Sequence, residues 1–171
     1  MKIIPFVLIS ANFIGLSIIQ AQPTDKPWNN FYANQGDGLI QYQKVFEVTG
    51  ESTVNIKKKI KNLLSGNPAI TGISYDSNFC AGELDKISPS YYGGSKLLRG
   101  YFKIEIKEGK YRLIIDKMAL KGDVFTDELS DIVLQNSGRE WNSAMAHNLL
   151  PDLDGIFTKT FAIIQGDSKD W

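Results

Sequence analysis

The chain has 171 residues, 43% of them apolar, enough for one domain with a buried core. Its 19 basic side chains balance 19 acidic ones, so neither a positive field that gathers nucleic acid nor an acidic solvating tail is expected. A single cysteine, Cys80, and a single histidine, His147, exclude an intramolecular disulfide and a Cys/His zinc cluster.

At the N-terminus, Lys2, the apolar run 3–19 and the Ile19-Gln20-Ala21 sequence before Gln22-Pro23 read as a secretory signal cleaved after Ala21. An uncleaved anchor is the competing reading. Pro5, Asn12 and Gly15 weigh against it, because the run is already at the short limit for a bilayer span. No cysteine follows the run, which excludes a lipid-anchored form, and no other stretch has the length to span a membrane. The expected product is an exported chain, periplasmic or secreted, beginning near Gln22. Residues 22–37, with Pro23, Pro27 and Gly36, read as a linker or loosely ordered arm. Trp28, Phe31 and Tyr32 either dock on the body of the domain or join a binding surface.

Residues 39–48 alternate, with Ile40, Tyr42, Phe46 and Val48 on one face. Lys44 interrupts that face, which suggests a place at the sheet rim with its amine in water. Ser52 is positioned to cap a helix with Ile56, Ile60, Leu63 and Leu64 as its apolar side, stopped by Gly66 and Pro68. Lys57, Lys58, Lys59 and Lys61 on that helix read as a solvated face rather than an anion site, since no aromatic residue or glycine loop accompanies them. Residues 70–75 and 79–87 read as two strands joined at Asp76-Ser77-Asn78. Cys80, in the second, reads as a small buried hydrophobe.

The loop 88–96, SPSYYGGSK, offers Tyr91 and Tyr92 as a contact surface, because tyrosine has a broad amphipathic face. Gly93-Gly94 lacks the lysine and helix of a phosphate loop. Next comes the clearest pattern in the chain. Leu98, Phe102, Ile104 and Ile106 alternate with Arg99, Tyr101, Lys103, Glu105 and Lys107, and Glu108-Gly109 supplies a two-residue turn. Folding there sets Ile106 opposite Tyr111, Ile104 opposite Leu113, Phe102 opposite Ile115 and Glu105 opposite Arg112.

Thr126 reads as the cap of a short helix, with Asp127 and Glu128 in its first turn and Leu129, Ile132 and Val133 as its apolar side. Residues 141–150, with His147, read as helix or turn. Pro151 opens a final helix whose stripe is Leu153, Ile156, Phe157, Thr160, Phe161 and Ile164, with Gly166 as its stop.

Adjacent strands followed by helices predict an α+β domain over residues 38–166, with an antiparallel sheet of about five strands and helices packed on one face. Residues 167–171 form a tail. The opposite face, carrying Tyr101, Lys103 and Arg112, is left to solvent or a partner. The segments YQKVFEVTG (42–50) and GYFKIEIKEGKYRLIIDKM (100–118) resemble an uncharacterised exported bacterial domain family of unknown function with a TATA-binding-protein-like fold. The resemblance implies a curved antiparallel sheet backed by helices. It carries no catalytic residue, and the fold name alone does not imply DNA binding.

No catalytic residue, metal site or cofactor is assigned, because the chain lacks a GxSxG elbow, an HExxH helix and paired cysteines. The leading expectation is a non-enzymatic binding or assembly module using Tyr91, Tyr92, Tyr101, Lys103 and Arg112. Its partner would be an envelope or extracellular component, with neither nucleic acid bound nor a membrane span in the mature chain. The alternatives are a hydrolase with a carboxylate-based site, which spacing cannot reveal, and a structural envelope protein.

Overall fold

The computed structural model describes residues 27–34, 38–92 and 95–163. The signal, much of the arm, Gly93-Gly94, Ile164, Gly166 and the tail lie outside the described residues. The elements are β1 (Phe31–Ala33), β2 (Ile40–Glu47), α1 (Thr53–Ser65), β3 (Ile70–Tyr75), β4 (Phe79–Ile87), β5 (Leu97–Lys107), β6 (Lys110–Lys121), β7 (Thr126–Glu128), α2 (Leu129–Val133), β8 (Leu134–Gln135), β9 (Glu140–Trp141) and α3 (Ser143–Phe161).

Seven strands form one antiparallel sheet in the order β1-β2-β6-β5-β4-β3, with β7 added to β6, and β8 pairs with β9 apart from it. This exceeds the five strands expected. The additional ones are two or three residues long, too short to show a period of two. The hairpin register follows the alternation: Phe102 faces Ile115, Ile104 faces Leu113, Ile106 faces Tyr111 and Glu105 faces Arg112. Gly109, at φ +71°, makes the turn that brings them together.

Continued across the sheet, the same rows read Tyr42–Ile115–Phe102–Gly82 and Lys44–Leu113–Ile104–Cys80. Gly82 leaves room for its neighbour: a Cβ there would lie 2.8 Å from the Phe102 ring and 3.0 Å from the Thr71 carbonyl oxygen.

The helices lie over these rows. Ile56, Ile60 and Leu64 of α1 and Leu149, Leu150, Leu153, Phe157 and Phe161 of α3 are buried in the same cluster as the strand residues. Phe157 packs edge-on to Tyr42 at 4.9 Å between ring centroids, and Phe161 lies 5.2 Å from Phe102. Ser52 caps α1 by accepting the Asn55 N–H, and Gly66 ends it, as expected. Phe31, inside the segment read as an arm, is fully buried and pairs opposite Tyr42.

Three expectations are corrected. Lys44 does not simply reach water: its ammonium donates to Asp154 at 3.2 Å and to Thr158 Oγ1 at 2.6 Å, both on α3. Residues 126–128 are strand, not helix. β2 covers β6 only from Lys110 to Ile115, and the returning chain pairs with Ala119–Lys121 beyond it. Pro151 does not open the last helix. That helix begins eight residues earlier, where the Asn142 side chain accepts the Met145 N–H. Pro151 lies inside it at an exposed position, where a missing N–H costs least packing.

The helix ends at Phe161, three residues before Ile164. The buried Tyr111 hydroxyl donates to the Phe161 carbonyl at 2.7 Å and accepts the Ile163 N–H at 3.0 Å. Burial pushes this phenol up to about 12. Tyr111→Phe should therefore cost about 1–3 kcal/mol, read from the urea midpoint, because two backbone groups lose their partner.

Candidate binding face

Side chains alternate across a strand, so the residues between the core rows point away from the helices. On that open side Val45, Arg112, Glu105 and Phe79 form one row, and Gln43, Ile114, Lys103 and Ala81 the next. Tyr101 follows, opposite Asp116 and Glu83. The structure thus brings Tyr101, Lys103 and Arg112 together, as the alternation and the turn required.

Glu105 organises this patch. It accepts Arg112 Nη2 at 2.5 Å and Nε at 3.1 Å, and Lys103 Nζ at 3.0 Å. The hydrogen bonds from Arg112 and then Lys103 hold its carboxyl below the usual range, against a small opposing effect of burial. Lys103 also lies 5.1 Å from the Phe79 ring centroid, and Lys117 lies 5.5 Å from that of Tyr101. A shallow depression of about 190 Å³, lined by Val45, Glu105, Lys107, Lys110 and Arg112, adjoins the ion-paired cluster. Tyr101 is 51% exposed, Val45 52% and Tyr32 41%. Tyr32 is one of the arm aromatics read as docking or joining a binding surface; Val45 was not singled out from the sequence, although the parity of β2 places it on this face.

Tyr91 and Tyr92 lie elsewhere. They sit in a single 3₁₀ turn, Ser90–Tyr92, pinned to the helix layer. The Asp152 carboxylate on α3 accepts the Ser90 N–H at 2.6 Å and the Tyr91 N–H at 3.3 Å, and the Tyr91 hydroxyl reaches Met145 Sδ at 3.6 Å. Lys96 lies over the Tyr92 ring at 5.1 Å and pairs with Asp127 at 2.7 Å. Tyr91 is exposed and Tyr92 half-buried. The five residues therefore fall into two groups, on opposite layers of the molecule.

Cys80 is buried, and desolvation pushes its thiol up to about 11, so it packs as a hydrophobe and is a poor nucleophile. His147 is exposed, with Nδ1 2.9 Å from the Ser143 carbonyl oxygen and its ring edge-on to Trp28 at 4.8 Å. Sequence reasoning also missed Val124 and Phe125. They lie in the turn between β6 and β7 and are 79% and 73% exposed. An apolar pair inside a Gly-Asp…Thr-Asp turn segment was the available signal.

Among the described residues, no helix is long and apolar enough to cross a membrane. No family model and no curated protein matches the sequence. Two solved structures match in fold. One is a TBP-like protein from Parabacteroides distasonis, with TM-score 0.51 and 12% identity, covering 75% of this chain and 94% of that one. The other is a DUF4468 family protein from Bacteroides ovatus, also with TM-score 0.51 and 12% identity, covering 76% of this chain and 90% of that one. At this identity the likeness speaks for architecture alone, and it agrees with the resemblance drawn from the strand patterns: an α+β domain of TATA-binding-protein-like fold.

Proposed function

We propose that this chain is an exported, non-enzymatic binding or assembly module that meets its partner through the open face of the sheet. The observation that carries this reading is Tyr101, half exposed in the middle of the face, with Lys103 and Arg112 held in place beside it by Glu105. Aromatic and arginine side chains in fixed positions lose little freedom on contact, which suits them to anchor an interface. Export rests on Lys2, the run 3–19 and Ala21, so the partner is taken to be an envelope or extracellular component.

The test compares the native chain with a Tyr101→Ser, Lys103→Ala, Arg112→Ala variant, each purified from its producing cells and weighed against whatever co-purifies. The variant should lose its partner by more than tenfold, since truncating an anchor costs well over 1.4 kcal/mol. Its thermal midpoint should stay close to the parent's, because exposed substitutions shift stability by only about 0.5 kcal/mol. Undiminished capture by the variant would overturn the reading.

A further inference from the structure

The depression on the open face of the sheet carries an excess of positive charge. Lys107 and Lys110, both in its lining, stand directly opposite each other as the last pair before the turn. Like charges so placed repel, and among the described residues neither lysine forms an ion pair. Glu105 does not relieve them, because its carboxylate already holds Arg112 and Lys103. Glu47 faces Lys110 from β2 but forms no ion pair with it. Lys103, Lys107, Lys110 and Arg112 therefore meet only Glu105 and Glu47 on this face, and cations still outnumber carboxylates when Glu108 of the turn is counted. The next charged groups, Glu51 and Lys59, neutralise each other.

The cations border an apolar seat. Arg112 donates to Glu105 through Nε and Nη2, which leaves Nη1 with no acceptor among the described residues. Val45, opposite Arg112 in the register and exposed, lines the same depression. The hydrocarbon stems of Lys107 and Lys110 extend that apolar surface, with their ammonium groups at its edge. A bare phosphate would meet the cations and leave Val45 in water. A peptide with a carboxylate beside an apolar side chain meets both.

We propose that this depression takes an acidic segment of a protein partner. A carboxylate of the segment is received by Lys107, Lys110 and the free edge of Arg112, and a neighbouring apolar side chain covers Val45. The carboxylate sits between the two lysines and so relieves their repulsion. Glu105 holds the guanidinium in place beforehand, so little freedom is lost on contact. The proposal rests on the open-face reading and adds to it the chemistry of the partner and two residues, Lys107 and Lys110, on which that reading does not depend.

NMR titration of the purified, isotope-labelled chain with a peptide of alternating leucine and glutamate tests this, at about 50 mM salt where screening is weak. The Val45 methyl and Arg112 Nε–H signals should shift together, with a Kd of about 0.1–1 mM, the range of a contact this small. Affinity should fall severalfold at about 300 mM salt. Lys107→Gln with Lys110→Gln should weaken binding about threefold to tenfold without lowering the thermal midpoint, because both side chains are exposed and repel each other. The proposal is overturned by an unmoved Val45 signal, by a double variant that binds like the parent, or by equal binding of the peptide with glutamine for glutamate. Inorganic phosphate that shifts the same signals at equal concentration overturns it too. Failure here is separable from failure of the open-face reading. Capture of the natural partner that survives Lys107→Gln with Lys110→Gln, but is lost in the Tyr101→Ser, Lys103→Ala, Arg112→Ala variant, overturns this proposal alone.

Discussion

Phe157→Ala should lower the unfolding free energy by about 3–5 kcal/mol, enough to unfold much of a domain of ordinary stability at 37 °C. The ring is fully buried between layers, against Tyr42 at 4.9 Å and Phe31 at 6.4 Å between centroids. Removing it takes away the transfer free energy of a phenyl group and also leaves a void that the sheet cannot fill, because its rows are fixed by backbone hydrogen bonds. The loss should appear as a shift in the urea midpoint with little change in slope. A cost under about 1 kcal/mol would mean that α3 does not lie on the sheet at that point.

Asp154→Ala should be the next most damaging change, at about 2–4 kcal/mol. Its Oδ1 accepts Tyr42 Oη at 2.7 Å, Asn30 Nδ2 at 2.8 Å and Lys44 Nζ at 3.2 Å. This one carboxylate therefore ties β2 and the segment before β1 to α3. Without it, the Tyr42 hydroxyl loses its acceptor and Lys44 keeps an ammonium near the core with the Thr158 hydroxyl and the Phe46 ring in place of a carboxylate. Burial opposes ionisation of Asp154, but the hydrogen bonds from Tyr42, Asn30 and Lys44 outweigh it and hold the carboxyl below its usual range. A folded-state value lower than the unfolded one gives stability that is present above the ordinary carboxylate range. That stability is lost as pH falls through the lowered value. The gap between parent and Asp154→Ala should accordingly be full at neutral pH and shrink in acid. A gap constant from neutral pH to about pH 2 would show that the ionised form is not what the cluster holds.

The architecture was most legible where a pattern repeats locally. The β5–β6 pairing near the turn needed only alternation on each side of Glu108-Gly109, so the four pairs from Phe102–Ile115 to Ile106–Tyr111 could be named in advance; beyond Tyr101 a bulge shifts the register, which alternation alone does not show. The first helix announced itself by Ser52 before an apolar stripe and Gly66 after it. β1, β7, β8 and β9 were invisible because two or three residues carry no period. β1 and β7 pair along β2 and β6, β7 on the stretch of β6 that β2 leaves uncovered, whereas β8 and β9 pair with each other. Residues 141–150 read as helix or turn, but their continuity with the last helix was hidden by Pro151, whose usual place is a first turn. Asn142 caps the helix well upstream, and Ala146, Leu149 and Leu150 extend the buried stripe.

Lys44 shows the limit most plainly. Its partner Asp154 is 110 residues away, and no window of sequence contains both. The same holds for the contact residues. Tyr101, Lys103 and Arg112 share a face by parity across a turn. The placement of Tyr91 and Tyr92 against α3 depends on Asp152, whose role only the tertiary fold reveals.

Hydroxyl-radical footprinting of the chain, alone and bound to the partner that co-purifies with it, addresses the two-sided picture most directly. In the free chain Tyr32, Val45 and Tyr101 should be oxidised while Phe157, Phe161 and Tyr42 stay unreacted, and adding the partner should shield Tyr32, Val45 and Tyr101. Shielding confined to the outer surfaces of α1 and α3, with Tyr101 as reactive as before, would contradict the account.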